Sequence, residues 1–94
     1  EEFLIVFDET EYEAGLEKIT AMLDNVRKLQ IPDERFEEPI QVTMTFGLTT
    51  GGAEDDMDQL LRLADERLYK GKTGGRNQIV GEPVVPKKKR TPEV

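Results

Sequence analysis

The chain predicts a small α/β domain, and three observations carry that prediction. Apolar residues run without a break over 3–7 and alternate with polar ones over 40–48. Between and after these runs, apolar residues recur at steps of three and four, from Tyr12 to Val26 and from Met57 to Leu68. A further short β-type run, Asn77-Gln78-Ile79-Val80, follows two glycines. The resulting order is strand, helix, strand, helix, strand, which argues for a sheet crossed by helices.

Phe3, Leu4, Ile5, Val6 and Phe7 mix aromatic and β-branched residues, the pattern of a strand buried on both faces. Asp8 and Glu9 end it. Thr10 followed by Glu13 makes a capping box, so a helix is expected to start there. Tyr12, Leu16, Ile19, Leu23 and Val26 form one apolar stripe of that helix. It is expected to stop near Gln30, because Pro32 disfavours helical geometry in the residue before it. Residues 31–39 read as a polar loop. Ile40, Val42, Met44, Phe46 and Leu48 then alternate with Gln41, Thr43, Thr45, Gly47 and Thr49. That predicts a strand with one face on the core. Thr50, Gly51 and Gly52 break it. Asp56 with Gln59 makes a second capping box, opening a helix whose apolar face is Met57, Leu60, Leu61, Ala64 and Leu68. Gly71 and the pair Gly74-Gly75 are expected to end this helix. Tyr69 reads as a packing aromatic, and Met22, Met44 and Met57 as core fillers.

With 94 residues there is room for one small domain. Residues 81–94 hold three prolines and the run Lys87-Lys88-Lys89-Arg90, which reads as a solvated basic tail and leaves 1–80 as the domain. The net charge is −7, from 20 acidic and 13 basic residues, which excludes a general nucleic-acid binder. It does not exclude a single nucleotide, which needs only a few local cations. The absence of cysteine and histidine removes disulfides, thiolate zinc sites and histidine acid–base catalysis. No apolar run approaches the roughly 18 residues needed to cross a bilayer, and there is no secretory signal. A cytoplasmic domain is expected, alone or as part of a larger, even membrane-anchored, sensor. The start without methionine, two glutamates before an apolar strand, predicts a fragment of a longer protein.

Three separated segments resemble one family in the same order. Glu1-Glu2-Phe3 and the apolar run after it resemble the end of the GG(D/E)EF signature and the strand that follows it. Val42-Thr43-Met44-Thr45-Phe46-Gly47 resembles the family's Val-Thr-Val-Ser-Ile-Gly strand. Ala64-Asp65-Glu66-Arg67-Leu68-Tyr69, Lys72 and Gly75-Arg76-Asn77 resemble its Ala-Asp-x-Ala-Leu-Tyr-x-Ala-Lys-x-x-Gly-Arg-Asn segment, the most specific of the three. Over residues 1–80 the chain is thus similar to the C-terminal part of a GGDEF domain, the catalytic module of diguanylate cyclases. The resemblance implies a partial nucleotidyl-cyclase-like fold with a ferredoxin-like palm. Arg67 and Gly71 depart from the pattern, standing where the family has alanine. The two signature glycines, a metal-binding aspartate, the guanine-holding residues and an Arg-x-x-Asp inhibitory site would all precede Glu1.

The family condenses two GTP molecules into cyclic di-GMP. Each 3′-hydroxyl attacks the α-phosphate of the other nucleotide, and pyrophosphate leaves. Such a reaction needs magnesium or manganese to neutralise charge and align the groups. By this resemblance Glu1 is a metal ligand and Glu2 assists in activating the hydroxyl. Successive side chains of an extended segment face opposite ways, so the two glutamates should not share one role. Lys72 and Arg76, by the same resemblance, grip the GTP phosphates. Arginine can do so through two parallel hydrogen bonds, and lysine as a point charge. Both lie at a helix C-terminus, whose dipole repels phosphate, so the grip must come from side-chain charge. The plainer readings are a solvated acidic pair and two cations that merely complement the helix dipole.

The resemblance implies a parent domain that is an active diguanylate cyclase, with this chain inactive by itself because it holds only part of the metal site. The alternative is a degenerate GGDEF domain acting as a GTP or cyclic di-GMP receptor or as a dimerisation module. An unrelated α/β interaction domain is the third. A sheet cut in two exposes an apolar edge, so residues 3–7 or 40–48 are expected to pair across a homodimer or with the missing N-terminal half. Neither nucleic acid nor membrane is expected as a partner of this chain.

Overall fold

The computed structural model describes residues 2–82. Among them are two helices and two short strands in the order α1 (Tyr12–Lys28), β1 (Phe46–Gly47), α2 (Met57–Thr73) and β2 (Ile79–Val80). The two strands pair in parallel, Phe46 against Ile79 and Gly47 against Val80. The Phe46 N–H donates to the Gln78 carbonyl and the Leu48 N–H to the Val80 carbonyl, both at 2.9 Å. Parallel neighbours need a long crossover, and α2 supplies it, packing over both strands.

Helix α1 buries the stripe its spacing predicts. Ile19 and Leu23 are each only 4% exposed and form the core of the described residues, while Tyr12, Leu16 and Val26 are half-buried beside them. Burying two such side chains contributes roughly 1.5–3 kcal/mol each. The predicted capping box does not form. The helix begins at Tyr12 with Glu11 as an uncapped N-cap, and the Thr10 hydroxyl donates to the Asp8 carbonyl at 2.8 Å. Glu9, at φ 48, makes the bend that precedes the helix, and Thr10 braces that bend instead. The helix ends at Lys28, with Leu29 already extended three residues before Pro32.

Helix α2 starts where the sequence places it. The Asp56 carboxylate accepts from the Asp58 N–H at 3.0 Å and satisfies a first-turn donor. Leu60, Leu61, Ala64 and Leu68 are half-buried, but Met57 is 55% exposed because it lies in the first turn, beyond the strands. Gly71 does not end the helix. It is buried inside it, and α2 runs on to Thr73 with Gly74 as C-cap. A Cβ on Gly71 would lie 2.6 Å from Thr45 Cγ2 and 3.3 Å from Val80 Cγ2, so the small residue lets the helix close onto the strands. Gly47 does the same from the other side. A Cβ there would collide with the Ala64 carbonyl oxygen and lie 2.5 Å from the Leu68 nitrogen.

Two of the expected strands are corrected. Residues 3–7 are not a strand among the described residues, and the run is not buried: Phe3 is 78% exposed and Val6 65%. The expected strand over 40–48 is reduced to Phe46–Gly47, with a single antiparallel bridge between Ile40 and Ile31. The physical reason is the same in both cases. Strand periodicity reports which face a residue would bury, but a strand exists only where a neighbour completes its hydrogen-bond ladder. Gln78 to Val80 provide that neighbour for residues 46–48 only. Tyr69 is 69% exposed and Met22 36%, so neither packs as expected: both fall on outer helix faces. The basic run Lys87 to Arg90 lies outside the described residues.

Candidate functional site

The end of α2 and the turn after it gather the predicted cations. Lys72 lies in the last turn of α2. Its Nζ donates to Glu2 Oε2 at 2.8 Å, across 70 residues of sequence. The extended segment ahead of α1 therefore passes the C-terminal end of α2. The Glu2 side chain is 59% exposed and that of Lys72 32%, so the pair stands open to solvent. Hydrogen bonding from Lys72, reinforced by its charge, holds the Glu2 carboxyl below the ordinary carboxylate range. Glu2 is thus an ionised acceptor, and Lys72 a cation anchored by one exposed partner. Glu1 lies outside the described residues.

Arg76 is exposed and sits on a turn of rare geometry. Gly75, Arg76 and Asn77 have φ of 117, 63 and 53 in succession. The Arg76 N–H donates to the Gly71 carbonyl at 2.8 Å, the six-to-one bond of a Schellman helix end with glycine at the left-handed position. The Gln78 side-chain Nε2 donates to the same carbonyl at 2.9 Å. The Asn77 N–H donates to Thr45 Oγ1 at 3.0 Å. From the last turn of α1, Arg27 Nε donates to Asn77 Oδ1 at 2.8 Å and Nη2 to the Asn77 carbonyl at 2.9 Å.

The structure thus brings Glu2 to Lys72 and puts Arg76 just beyond them in the chain, on the turn that leaves α2. Arg27 and Thr45 are members of this region that sequence reasoning missed. Arg27 has only a weak signal, a cation in the last turn of a helix, where cations are common. Asn77 ends the Gly75-Arg76-Asn77 segment and carries no expected role, although its tolerance of left-handed geometry is a clue. Shallow depressions on the outer faces of α1 and α2 are lined by neither Lys72 nor Arg76. Arg76 is exposed and Lys72 half-buried.

Magnesium requires several oxygen ligands in a tight shell. Among the described residues no three acidic or histidine side chains converge in that way, and the Glu2 carboxylate is engaged by Lys72. The described residues by themselves do not fit a magnesium site. No helix of the described residues is long and apolar enough to cross a membrane.

Comparison of the sequence with known proteins matches it to a family. The model for "Diguanylate cyclase, GGDEF domain" matches residues 1–78. Response regulator PleD, from two strains of Caulobacter vibrioides, is 30% identical over 83 residues, which are 87% of this chain and 18% of PleD. The chain thus spans 18% of the length of the curated relatives it matches. No solved structure gives a significant match.

Proposed function

This chain belongs to the GGDEF family of diguanylate cyclase domains, and on that premise we propose that its parent domain condenses two GTP molecules into cyclic di-GMP. The observation that carries the proposal is the contact between Lys72 and Glu2 at 2.8 Å. It joins the family's most specific segment to the end of its signature in one place, although 70 positions separate them.

In the proposed reaction the 3′-hydroxyl oxygen of one GTP forms a bond to the α-phosphorus of the other. The bond from that phosphorus to the bridging oxygen breaks, and pyrophosphate carries away the electron pair. Repetition in the opposite sense closes the ring. Glu2, ionised and exposed, accepts the hydroxyl proton. Lys72 exchanges its carboxylate partner for phosphate oxygens as the nucleotide arrives, and this exchange frees Glu2 for the proton. Arg76, on an open turn, supplies a planar donor pair to the same phosphates. Both contacts act by side-chain charge, since the C-terminal end of α2 repels anions. Magnesium or manganese accompanies GTP in this reading, with Glu1 as one ligand and the rest of its shell outside the described residues.

This chain by itself is proposed to be inactive. The exposed apolar side chains of Phe3, Leu4 and Val6 are proposed to be covered by a neighbouring strand, from the rest of the domain or from a second copy. The test is kinetic comparison of the full-length protein with Lys72→Ala and Arg76→Ala variants, in magnesium. A charge-assisted contact is worth about 1.5–3 kcal/mol, so each substitution is expected to cut kcat/KM for GTP by about 10- to 100-fold. Folded variants with unchanged kcat/KM would remove both residues from the site.

A further inference from the structure

We propose that Arg27 is a positioning residue for nucleotide binding: through Asn77 it holds the turn that aims Arg76 at the phosphates. The proposal rests on the reading of Arg76 given above.

Arg27 reaches the turn from another helix, 50 positions earlier in the chain. Its Nε and Nη2 engage the side-chain oxygen and the carbonyl oxygen of the same residue, at 2.8 Å and 2.9 Å. Its Nη1 donates to Asp24 Oδ1 at 3.3 Å. The guanidinium is therefore committed to protein acceptors and is not offered as a phosphate ligand. A fork of donors onto two oxygens of one residue fixes that residue in orientation as well as position.

What the fork fixes is disfavoured backbone. Arg76 and Asn77 are consecutive non-glycine residues at φ 63 and 53. Residues with a Cβ avoid the left-handed region, asparagine less than most, and hold it where their surroundings over-determine it. Here the constraints come from three elements. Arg27 belongs to α1, Thr45 immediately precedes β1, and the Gly71 carbonyl belongs to α2. Thr45 and Gly71 hold the backbone N–H groups of Asn77 and Arg76, at 3.0 Å and 2.8 Å. Arg27 alone among these holds the Asn77 side chain and carbonyl. Without it the pair can relax out of the left-handed region, and Arg76 then leaves from the turn in another direction. Lysine cannot replace it, because one ammonium does not present a planar fork to two acceptors.

The experiment uses the full-length protein with Arg27→Ala, Arg27→Lys, Arg76→Ala and the double variant Arg27→Ala/Arg76→Ala. Two quantities are read: GTP kinetics in magnesium, and amide hydrogen exchange at Arg76 and Asn77 without nucleotide. Arg27→Ala is expected to raise KM for GTP about tenfold with a smaller change in kcat, and Arg27→Lys to recover little of it. The double variant is expected to be no worse than Arg76→Ala alone, because the two residues act through one contact. Exchange at Arg76 and Asn77 is expected to quicken while α1 and α2 stay protected. Multiplying losses in the double variant, full recovery by lysine, or unchanged exchange would each overturn the proposal. If Arg27→Ala does not fold, Arg27→Lys carries both readouts. If the wild type makes no product, the cyclase reading fails. Exchange at the turn then decides alone whether Arg27 holds it: quickened exchange supports the clamp and unchanged exchange overturns it.

Discussion

Lys72 and Glu2 meet with Nζ 2.8 Å from Oε2, and this contact joins the end of α2 to the segment ahead of α1. The contact sets a testable electrostatic state. Lys72 holds the Glu2 carboxyl below the ordinary carboxylate range, first by its hydrogen bond and then by its charge. A depressed carboxylate favours the folded arrangement above the ordinary glutamate range, and that contribution fades as pH falls through the lowered value. Lys72→Met is therefore expected to move Glu2 back up toward the ordinary range, measured by NMR titration of its side-chain carboxyl. A Glu2 titration identical in the two proteins would mean that the pair does not form in solution. Because the pair is exposed, global stability should hardly respond.

The two close glycines should differ in cost. Gly47→Ala would drive a Cβ into the backbone of α2 at Ala64 and Leu68, where nothing can give way. A loss of about 1–3 kcal/mol is expected, as for overpacked cores, or failure to fold. Gly71→Ala meets side-chain methyls of Thr45 and Val80 rather than backbone, and gains up to about 1 kcal/mol of helix propensity against that crowding. Denaturant unfolding of the two variants should rank Gly47→Ala as clearly the worse, and equal costs would contradict this packing of α2 on β1.

Capping provides a contrast between two similar sequence patterns. Asp56 caps α2 through the Asp58 N–H, whereas Thr10 caps nothing and donates to the Asp8 carbonyl. Asp56→Ala should cost about 1 kcal/mol in unfolding free energy, the usual loss of an N-cap. Thr10→Ala should cost clearly less. A larger loss for Thr10→Ala would show that α1 begins earlier in solution than Tyr12.

The exposed run ahead of α1 bears on association. Phe3 is 78% exposed and Val6 65%, an apolar segment with no ladder among the described residues. Phe3→Ser combined with Val6→Ser should leave unfolding of this chain within about 0.5 kcal/mol, as for surface positions. The same change should weaken its self-association in sedimentation velocity. Unaltered sedimentation would remove this run as the pairing edge.

Where a signal was local, the sequence was readable. The stripe from Tyr12 to Val26 is the buried face of α1, and Asp56 opens α2, because each depends on residues within a turn or two. The parallel partner of Phe46–Gly47 also emerged in the expected run 77–80. Strand extent was not readable, since a ladder depends on a neighbour that periodicity does not encode. Lys72 and Arg76 were legible only through resemblance to a family. Arg27 was barely legible: its Asn77 acceptors lie 50 positions away, and its own surroundings in α1 read as an ordinary helix end. Gly71 illustrates the converse error. Glycine near a helix end signals termination, yet here it serves a close approach to Thr45 and Val80 inside the helix.

The central claim is that the parent domain makes cyclic di-GMP from GTP. The measurement is incubation of the folded full-length protein with GTP and magnesium, with the products separated and identified by mass. Cyclic di-GMP and pyrophosphate in a ratio of one to two are expected, since two displacements close each ring. A folded preparation that binds GTP and yields no cyclic di-GMP would contradict the claim and leave the domain a nucleotide receptor.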